Sequence, residues 1–391
     1  MSEMSATAPR RRPSGRQFAW RDVWHDLRFR ALGYQVLVVA AIIGLAMFFI
    51  GNAQDALHKR GISTGFDFLS QAAGFDIGEA PIAFTSADSF LRAYAAAVLN
   101  TLKVSAIGIV LATVIGVAVG LARLSGNALI RGFASAYVEL FRNTPQLVQL
   151  IFWYTLIAQL PVAKQAIPIF DLAFISNRGL VLPWPSDAAA FARVLLALAL
   201  AIAAAILLRR RQRRSGLAAL ALIAVAPLAV WMLHGAPTGF SVPRLQGFNF
   251  QGGVTISPEF LALLLGLSLY IGAFIAEIVR SGIQSVGKGQ LEAARAIGLR
   301  PRDTYRKIVL PQALRVMVPP AASQYMSLVK NSSLGVAIGY PELFNVNNTI
   351  ITLSGHTIEA IGIMMAIYLT LSLAIAALMN IYNRSVQIRE R

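Results

Sequence analysis

The sequence predicts an all-α integral membrane protein with eight transmembrane helices, and three observations carry that expectation. The hydrophobic share is 56% and the charged share 14%, where soluble domains average roughly 45–50% and about 25%. Several apolar runs approach the roughly 20 residues that cross a bilayer as a helix. The basic residues fall in short clusters between those runs, which is the pattern that sets membrane orientation. That distribution assigns the net charge of +17 to topology, so no nucleic-acid partner is expected. The absence of cysteine excludes disulfides, thiolate metal sites and cysteine nucleophiles.

Residues 1–33 read as a basic cytoplasmic N-terminus carrying Arg10, Arg11, Arg12, Arg16, Arg21, Arg28 and Arg30. The run Tyr34–Ile50 is longer than a signal-peptide core and no A-x-A site follows it, so it is an uncleaved first span opening the segment 34–91. The second span, Ala95–Ala122, places Gly108, Gly116 and Gly120 where a neighbouring helix can approach closely. After the basic turn Arg123–Arg131 comes a third span, Ala134–Leu160, which completes a first core segment, 92–160. An insertion, 161–257, follows. It comprises a proline- and aromatic-rich loop to Asp187, a fourth span Phe191–Leu208 ending in a basic cluster to Arg214, a fifth span Leu217–Leu233, and a Gly/Pro/Asn loop 235–257. The second core segment, 258–385, holds a sixth span from Pro258 to Val279, the basic loop 280–315, a seventh span 317–340 interrupted by polar residues, and an eighth, Ile358–Tyr382. A short tail, 386–391, ends the chain.

With the N-terminus inside, most of the 35 Lys and Arg residues fall in inner segments, and the outer loops hold only Lys59, Arg60, Lys164, Arg178 and Arg244. An odd number of spans would place a basic cluster on the wrong side, so both termini are expected in the cytoplasm. The Arg209–Arg214 cluster is a topology determinant that also meets anionic lipid. The four histidines are scattered without metal-ligand spacing.

Polar residues inside spans narrow the candidates. Glu139, Arg142, Gln146 and Gln149 recur along one helical stripe, which must face protein or water. Pro145 interrupts that helix and frees a carbonyl. Glu139 with Arg142, and Glu277 with Arg280, stand three apart and are expected to pair near the inner interface. Lys330, Asn331, Ser332 and Ser333 lie near mid-membrane, and Gly335 and Gly339 after them suit a bent or discontinuous helix. Intramembrane charges are functional hypotheses by default, and a translocation path would use Arg142, Gln146, Glu277, Lys330, Asn331 and Ser332.

The loop 280–315 contains more than a topology signal needs. Glu292-Ala293-Ala294-Arg295-Ala296-Ile297 is a strong helix former, and Gly298 permits a left-handed helix stop. Pro301 suits the first turn of a second short helix running through Tyr305, Ile308 and Val309, and Pro311 bends the exit. Two short helices meeting at a glycine, with apolar side chains between cationic ones, form a knob for a partner's groove.

The pattern E-A-A, three residues, G, nine residues, I-x-L-P over 292–311 resembles the cytoplasmic loop signature of bacterial ABC-importer permeases. Ala276–Val286 with Gly289-Gln290, Phe141–Gln149, Asn100-Thr101-Leu102 and Ser327–Leu334 are similar to the polar amino-acid (histidine/glutamine/arginine type) permeases. The extra first span and the inserted hairpin make the layout similar to the Q-type permease subunit of general L-amino-acid uptake systems of Gram-negative bacteria. Arg300 departs from the family's small capping residue before Pro301.

The resemblance implies a type I ABC-importer five-helix core plus an N-terminal helix and an inserted hairpin, in the bacterial inner membrane. It implies a cytosolic ABC ATPase dimer seated on Glu292, Ala293, Ala294, Gly298, Ile308, Leu310 and Pro311, a second permease subunit forming a heterodimer, and a periplasmic amino-acid-binding protein. The chain has no phosphate loop of the form G-x-x-x-x-G-K-[ST], so it is expected to be no enzyme and to bind no cofactor directly, with ATP on the partner. An ion-coupled secondary transporter would carry inverted repeats and acidic midplane sites, and an integral-membrane enzyme would carry a catalytic cluster. Neither feature is visible.

Overall fold

The computed structural model describes residues 27–59, 65–211, 216–236 and 238–386. They belong to two compact units divided at Gly65. Most of the basic N-terminus, the Arg213–Arg214 end of the basic cluster and the tail 387–391 lie outside the described residues. In the first unit, α1 (Leu27–Lys59) contains the apolar stretch Arg30–Asn52.

The second unit begins with a loop whose Ala72 bridges to Ser89, the residue that caps α2 (Phe90–Ala122) by accepting from Arg92 N–H. In that loop the Thr85 backbone N–H donates to Asp88 and holds its carboxyl below the usual carboxylate range. Asn127 caps α3 (Ala128–Asn143) by accepting from Leu129 and Ile130 N–H. The third apolar segment is not one helix, as the sequence suggested. It breaks at Thr144-Pro145, and α4 (Gln146–Ala158) starts anew. Proline removes a donor and its ring clashes with the preceding turn; here that ends the helix, so the polar stripe is divided between two elements.

The two loops of the insertion are not structureless either. They form a four-stranded antiparallel sheet and two short ladders around a helical hairpin, so the fold is mostly helical rather than all-α. In chain order these are β1 (Ile167–Ile169), β2 (Ala173–Ser176), β3 (Gly179–Leu182), β4 (Trp184–Pro185), α5 (Ala188–Arg211), α6 (Gly216–Leu233), β5 (Phe240–Ser241), β6 (Arg244–Gln246), β7 (Asn249–Gln251) and β8 (Val254–Ile256). The sheet order is β1-β2-β3-β8, and β4 pairs with β5 and β6 with β7. The pairing β3–β8 joins segments separated by the whole hairpin, with Val181 opposite Thr255. No local turn signal announces such a pairing, and the strands are only two to four residues long.

Ser257 caps α7 (Pro258–Gln284), accepting from Phe260 N–H at 3.1 Å, with proline in the first turn. The core is built where α7 packs on α2 and α4, around Leu150, Leu263, Leu267, Ile271 and Leu328. Glycine permits the α2–α7 approach. A Cβ on Gly116 would lie 2.5 Å from Ile275 Cβ, and one on Gly120 would lie 2.8 Å from Val279 Cβ.

The basic loop holds α8 (Lys288–Ala296) and α9 (Pro301–Thr304). A π-turn, Tyr305–Val309, leads without interruption into α10 (Leu310–Asn331), which tightens into a 3₁₀ segment, Ser332–Ile338. Past Gly339 lies α11 (Leu343–Ser354), in the stretch between the expected seventh and eighth spans, and then α12 (Thr357–Val386). A second cluster packs α11 under the loop before α2, through Phe68, Phe90, Tyr94, Val346 and Ile350. Among the described residues, five helical stretches are long and apolar enough to cross a membrane: Arg30–Asn52, Phe90–Ala122, Ala188–Ala205, Pro258–Gln284 and Thr357–Asn383. Gln146–Ala158 and Ala219–Leu233 are shorter apolar helices.

Candidate functional site

The loop holds a short helix, Lys288–Ala296, and its stop at Gly298 has a specific geometry. Gly298 takes φ 74°, its N–H donates to the Arg295 carbonyl at 3.0 Å, and Leu299 N–H donates to the Ala294 carbonyl at 3.0 Å. This paired closure needs a residue at positive φ, which glycine adopts without penalty. Ile297, 75% exposed, and Tyr305, 58% exposed, project beside it. Glu292, Ala293 and Leu310 are also exposed, whereas Ala294 is buried and Ile308 half-buried. Ala294 therefore seats the short helix against the chain, and its neighbours make the outward surface. Arg300 precedes Pro301 without a side-chain cap.

The second short helix is not separate: the helical backbone passes through Pro311 without a break. The widened π-turn absorbs the proline, whose nitrogen cannot complete the preceding α-turn. The backbone therefore runs as one helical rod from Pro301 through Asn331, with Pro319 and Pro320 inside it. The second half of the knob, from Pro301, and Lys330 lie on one continuous helical segment.

At the far end of that rod, Asn331 Nδ2 donates to Gln146 Oε1 at 2.6 Å, joining the α10 terminus to the first residue of α4. Ser332 is buried and donates to the Val329 carbonyl at 2.7 Å, so its hydroxyl supports the helix-to-3₁₀ transition. Lys330 is exposed beside it and makes no ion pair among the described residues. The α3–α4 break is closed by Gln149, only 7% exposed, whose Nε2 donates to the Phe141 and Thr144 carbonyls at 2.9 and 3.1 Å.

Glu277 draws more partners than the expected one. It pairs with Arg280 at 2.5 Å, with Arg123 at the end of α2, and with Arg142 at 3.8 Å. Arg142 also lies 5.1 Å over the Phe274 ring. The expected Glu139–Arg142 pair does not form: Arg142 stands in the last turn of its helix, and its guanidinium turns to α7. One carboxylate thus ties α2, α3 and α7 together.

Glu342 carries a positioning role that no spacing in the sequence announces, and Asn100-Thr101, quoted above only for its resemblance, carries another. Glu342, fully buried, caps α11 by accepting from Phe344 and Asn345 N–H, and it also accepts from Tyr368 Oη at 2.9 Å. Asn100 donates to the Glu79 and Pro341 carbonyls, and Thr101 Oγ1 accepts from Leu343 N–H. Asn100-Thr101 thereby staples α11 to α2. The proline before Glu342 was the available signal, since a carboxylate at that point suits a helix cap. Nearby, a 390 Å³ cavity is lined by Asp76, Glu79, Ser257, Glu259 and Asn345 among others, and Lys103 holds Glu79 at 2.5 Å.

The chain matches the family model described as "Binding-protein-dependent transport system inner membrane component" over residues 197–389. It is 45% identical to YhdX of Escherichia coli (strain K12), named as an amino-acid ABC transporter permease protein, over 93% of this chain and 95% of that one. It is 40% identical to the general L-amino acid transport system permease protein AapQ of Rhizobium johnstonii, covering 96% of this chain and 97% of that one. It is 37% identical to the glutamate/glutamine/aspartate/asparagine transport system permease protein BztB of Rhodobacter capsulatus, over 94% and 96% of the two chains.

Proposed function

The chain belongs to the family of binding-protein-dependent transport system inner membrane components, and from that premise we propose how its parts divide the work of import. It is a multi-pass permease subunit of an amino-acid ABC importer, and it is not itself an enzyme. In our reading the broken α3–α4 and α10–3₁₀ segments complete eight spans with both termini cytoplasmic. The core consists of 92–160 and 258–385, the additions of 34–91 and 161–257.

A cytosolic ATPase dimer seats on the knob through Glu292, Ala293, Leu310 and the turn at Gly298, with Ala294, Ile308 and Pro311 fixing its shape. ATP stays on that partner, and this chain binds no cofactor directly. A second permease subunit, as a heterodimer, completes the path, and a periplasmic binding protein delivers the amino acid. When ATP draws the knobs together, each rod from Pro301 to Asn331 moves as a lever, and the path opens outward; hydrolysis returns it. Lys330, Gln146, Asn331 and Ser332 line or shape the path, while Arg142 and Glu277 hold the inner ends of the helices around it.

The observation that carries this reading is the exposed, glycine-closed turn that leads directly into the rod from Pro301 to Asn331. Gly298→Val tests it. Valine resists a left-handed backbone by about 1–2 kcal/mol, so ATP-dependent uptake and ATPase co-purification should both fall roughly tenfold while membrane insertion persists. Uptake and association at the unaltered level would defeat the docking role. For the path, Lys330→Met should change transport in a fully assembled complex, and unchanged uptake would remove Lys330 from it.

A further inference from the structure

We propose that the β-structure of the insertion is a lipid anchor, placing aromatic side chains of its ladders and turns into the headgroup region of the bilayer leaflet beside it. The proposal rests on the reading that the flanking helices cross a membrane, and it does not depend on which subunits dock elsewhere.

Four helix ends tether this structure: Ala158 of α4, Ala188 of α5, Leu233 of α6 and Pro258 of α7. Its strands have at most four residues, so each extends only about 14 Å. A sheet so small and so tethered stays near the bilayer surface. An aromatic contact joins it to α5. Phe191, one turn into α5, packs edge-on against Phe240 of β5 at 5.9 Å between ring centres. Phe240 is 58% exposed and stands opposite Pro185 on the β4–β5 ladder, where Trp184 stands opposite Ser241. Below them α5 exposes Leu195 and Leu196, as a lipid-facing helix should.

The turns have the same character. Phe170, at the β1–β2 turn, is 92% exposed although φ is 51°, a left-handed backbone that bulky residues rarely adopt. Phe248, at the β6–β7 turn, is 77% exposed. Charge is sparse: across 161–187 and 238–257 the only Asp, Glu, Lys or Arg residues are Lys164, Asp171, Arg178, Asp187 and Arg244. A surface meant for water carries about 25–35% charged residues. An intermittently docking soluble protein would need a face no more apolar than ordinary surface, because that face is wet between encounters. A face this apolar suits permanent cover, and interfacial aromatics are how membrane proteins use the headgroup layer.

Because the chain has no cysteine, Phe170→Cys and Phe248→Cys can each carry a single environment-sensitive fluorophore. The full complex is purified and placed in phosphatidylethanolamine/phosphatidylglycerol nanodiscs with or without a headgroup-depth nitroxide lipid. The expected result is at least twofold quenching by the nitroxide lipid at both sites and little quenching by aqueous iodide. Quenching by iodide alone would overturn the proposal. Protection from both quenchers would mark a second subunit as the cover and would equally overturn it. Asp171→Cys reports on the same turn if Phe170→Cys does not assemble. ATP-dependent uptake by the labelled complex is read separately, so a failed anchor is not mistaken for a failed importer.

Discussion

Gln149 shows what a single buried side chain does in this protein. Pro145 ends a helix inside an apolar segment and frees carbonyls, and the Gln149 amide donates to two of them. A buried acceptor left without a donor costs about 1–3 kcal/mol. Gln149→Leu should therefore lower the melting temperature of the detergent-solubilised complex by several degrees, and an unchanged melting temperature would mean that water replaces the amide. Glu277 is the electrostatic counterpart, because it faces Arg123, Arg142 and Arg280. Neutralising it with Glu277→Gln leaves three guanidiniums without their shared anion. Assembly yield should fall, and adding Arg123→Gln should restore part of it in a double-mutant cycle. Spacing alone pointed to Glu277 and Arg280 as partners; it did not reveal the two arginines brought in from other helices.

At the level of elements, two approaches are set by shape. The α2–α7 contact depends on Gly116, where an added methyl would meet Ile275. Overpacking of that kind costs typically about 1–3 kcal/mol, so Gly116→Ala should reduce thermal stability by that amount, measured against Gly362→Ala, whose added methyl would meet nothing within 4 Å. The π-turn at Tyr305–Val309 is the second case. Pro311→Ala removes the reason for the wide turn. Rewinding it as an α-helix would drop one residue from the turn and rotate the knob by about 100° relative to α10. ATP-dependent uptake should fall while the subunit still inserts; uptake at the original level would show that the π-turn does not set the knob's direction.

For the whole molecule, the β4–β5 ladder makes the α5–α6 hairpin a removable part. Ser186 N–H donates to the Gly239 carbonyl at 3.0 Å, so the hairpin's two ends already meet. The two helices pack chiefly against each other. Replacing 188–237 by a short Gly/Ser linker should leave a subunit that inserts and elutes as a single species, and aggregation would show that the hairpin is needed for the core to fold. Much of this architecture was legible beforehand. Apolar runs and basic clusters reveal membrane segments because bilayer thickness and leaflet charge act on local composition. The knob was legible for a similar reason, since Glu292–Gly298 encodes a helix and its stop within seven residues.

The sequence by itself determined the membrane class, the glycine-closed knob and the small-residue face of α2, because each depends on residues adjacent along the chain or on one helical face. It also carried the family's motif residue by residue. Only the tertiary structure decided that α10 begins at the knob and ends beside Gln146, that three arginines converge on Glu277, and that Glu342 caps a helix buried against α2. It alone joined β3 to β8 across the hairpin. These are pairings between segments far apart in the chain, and composition and periodicity carry no record of which distant groups will satisfy one another. A buried carbonyl or carboxylate finds its partner through packing, and packing exists only once the helices are in place.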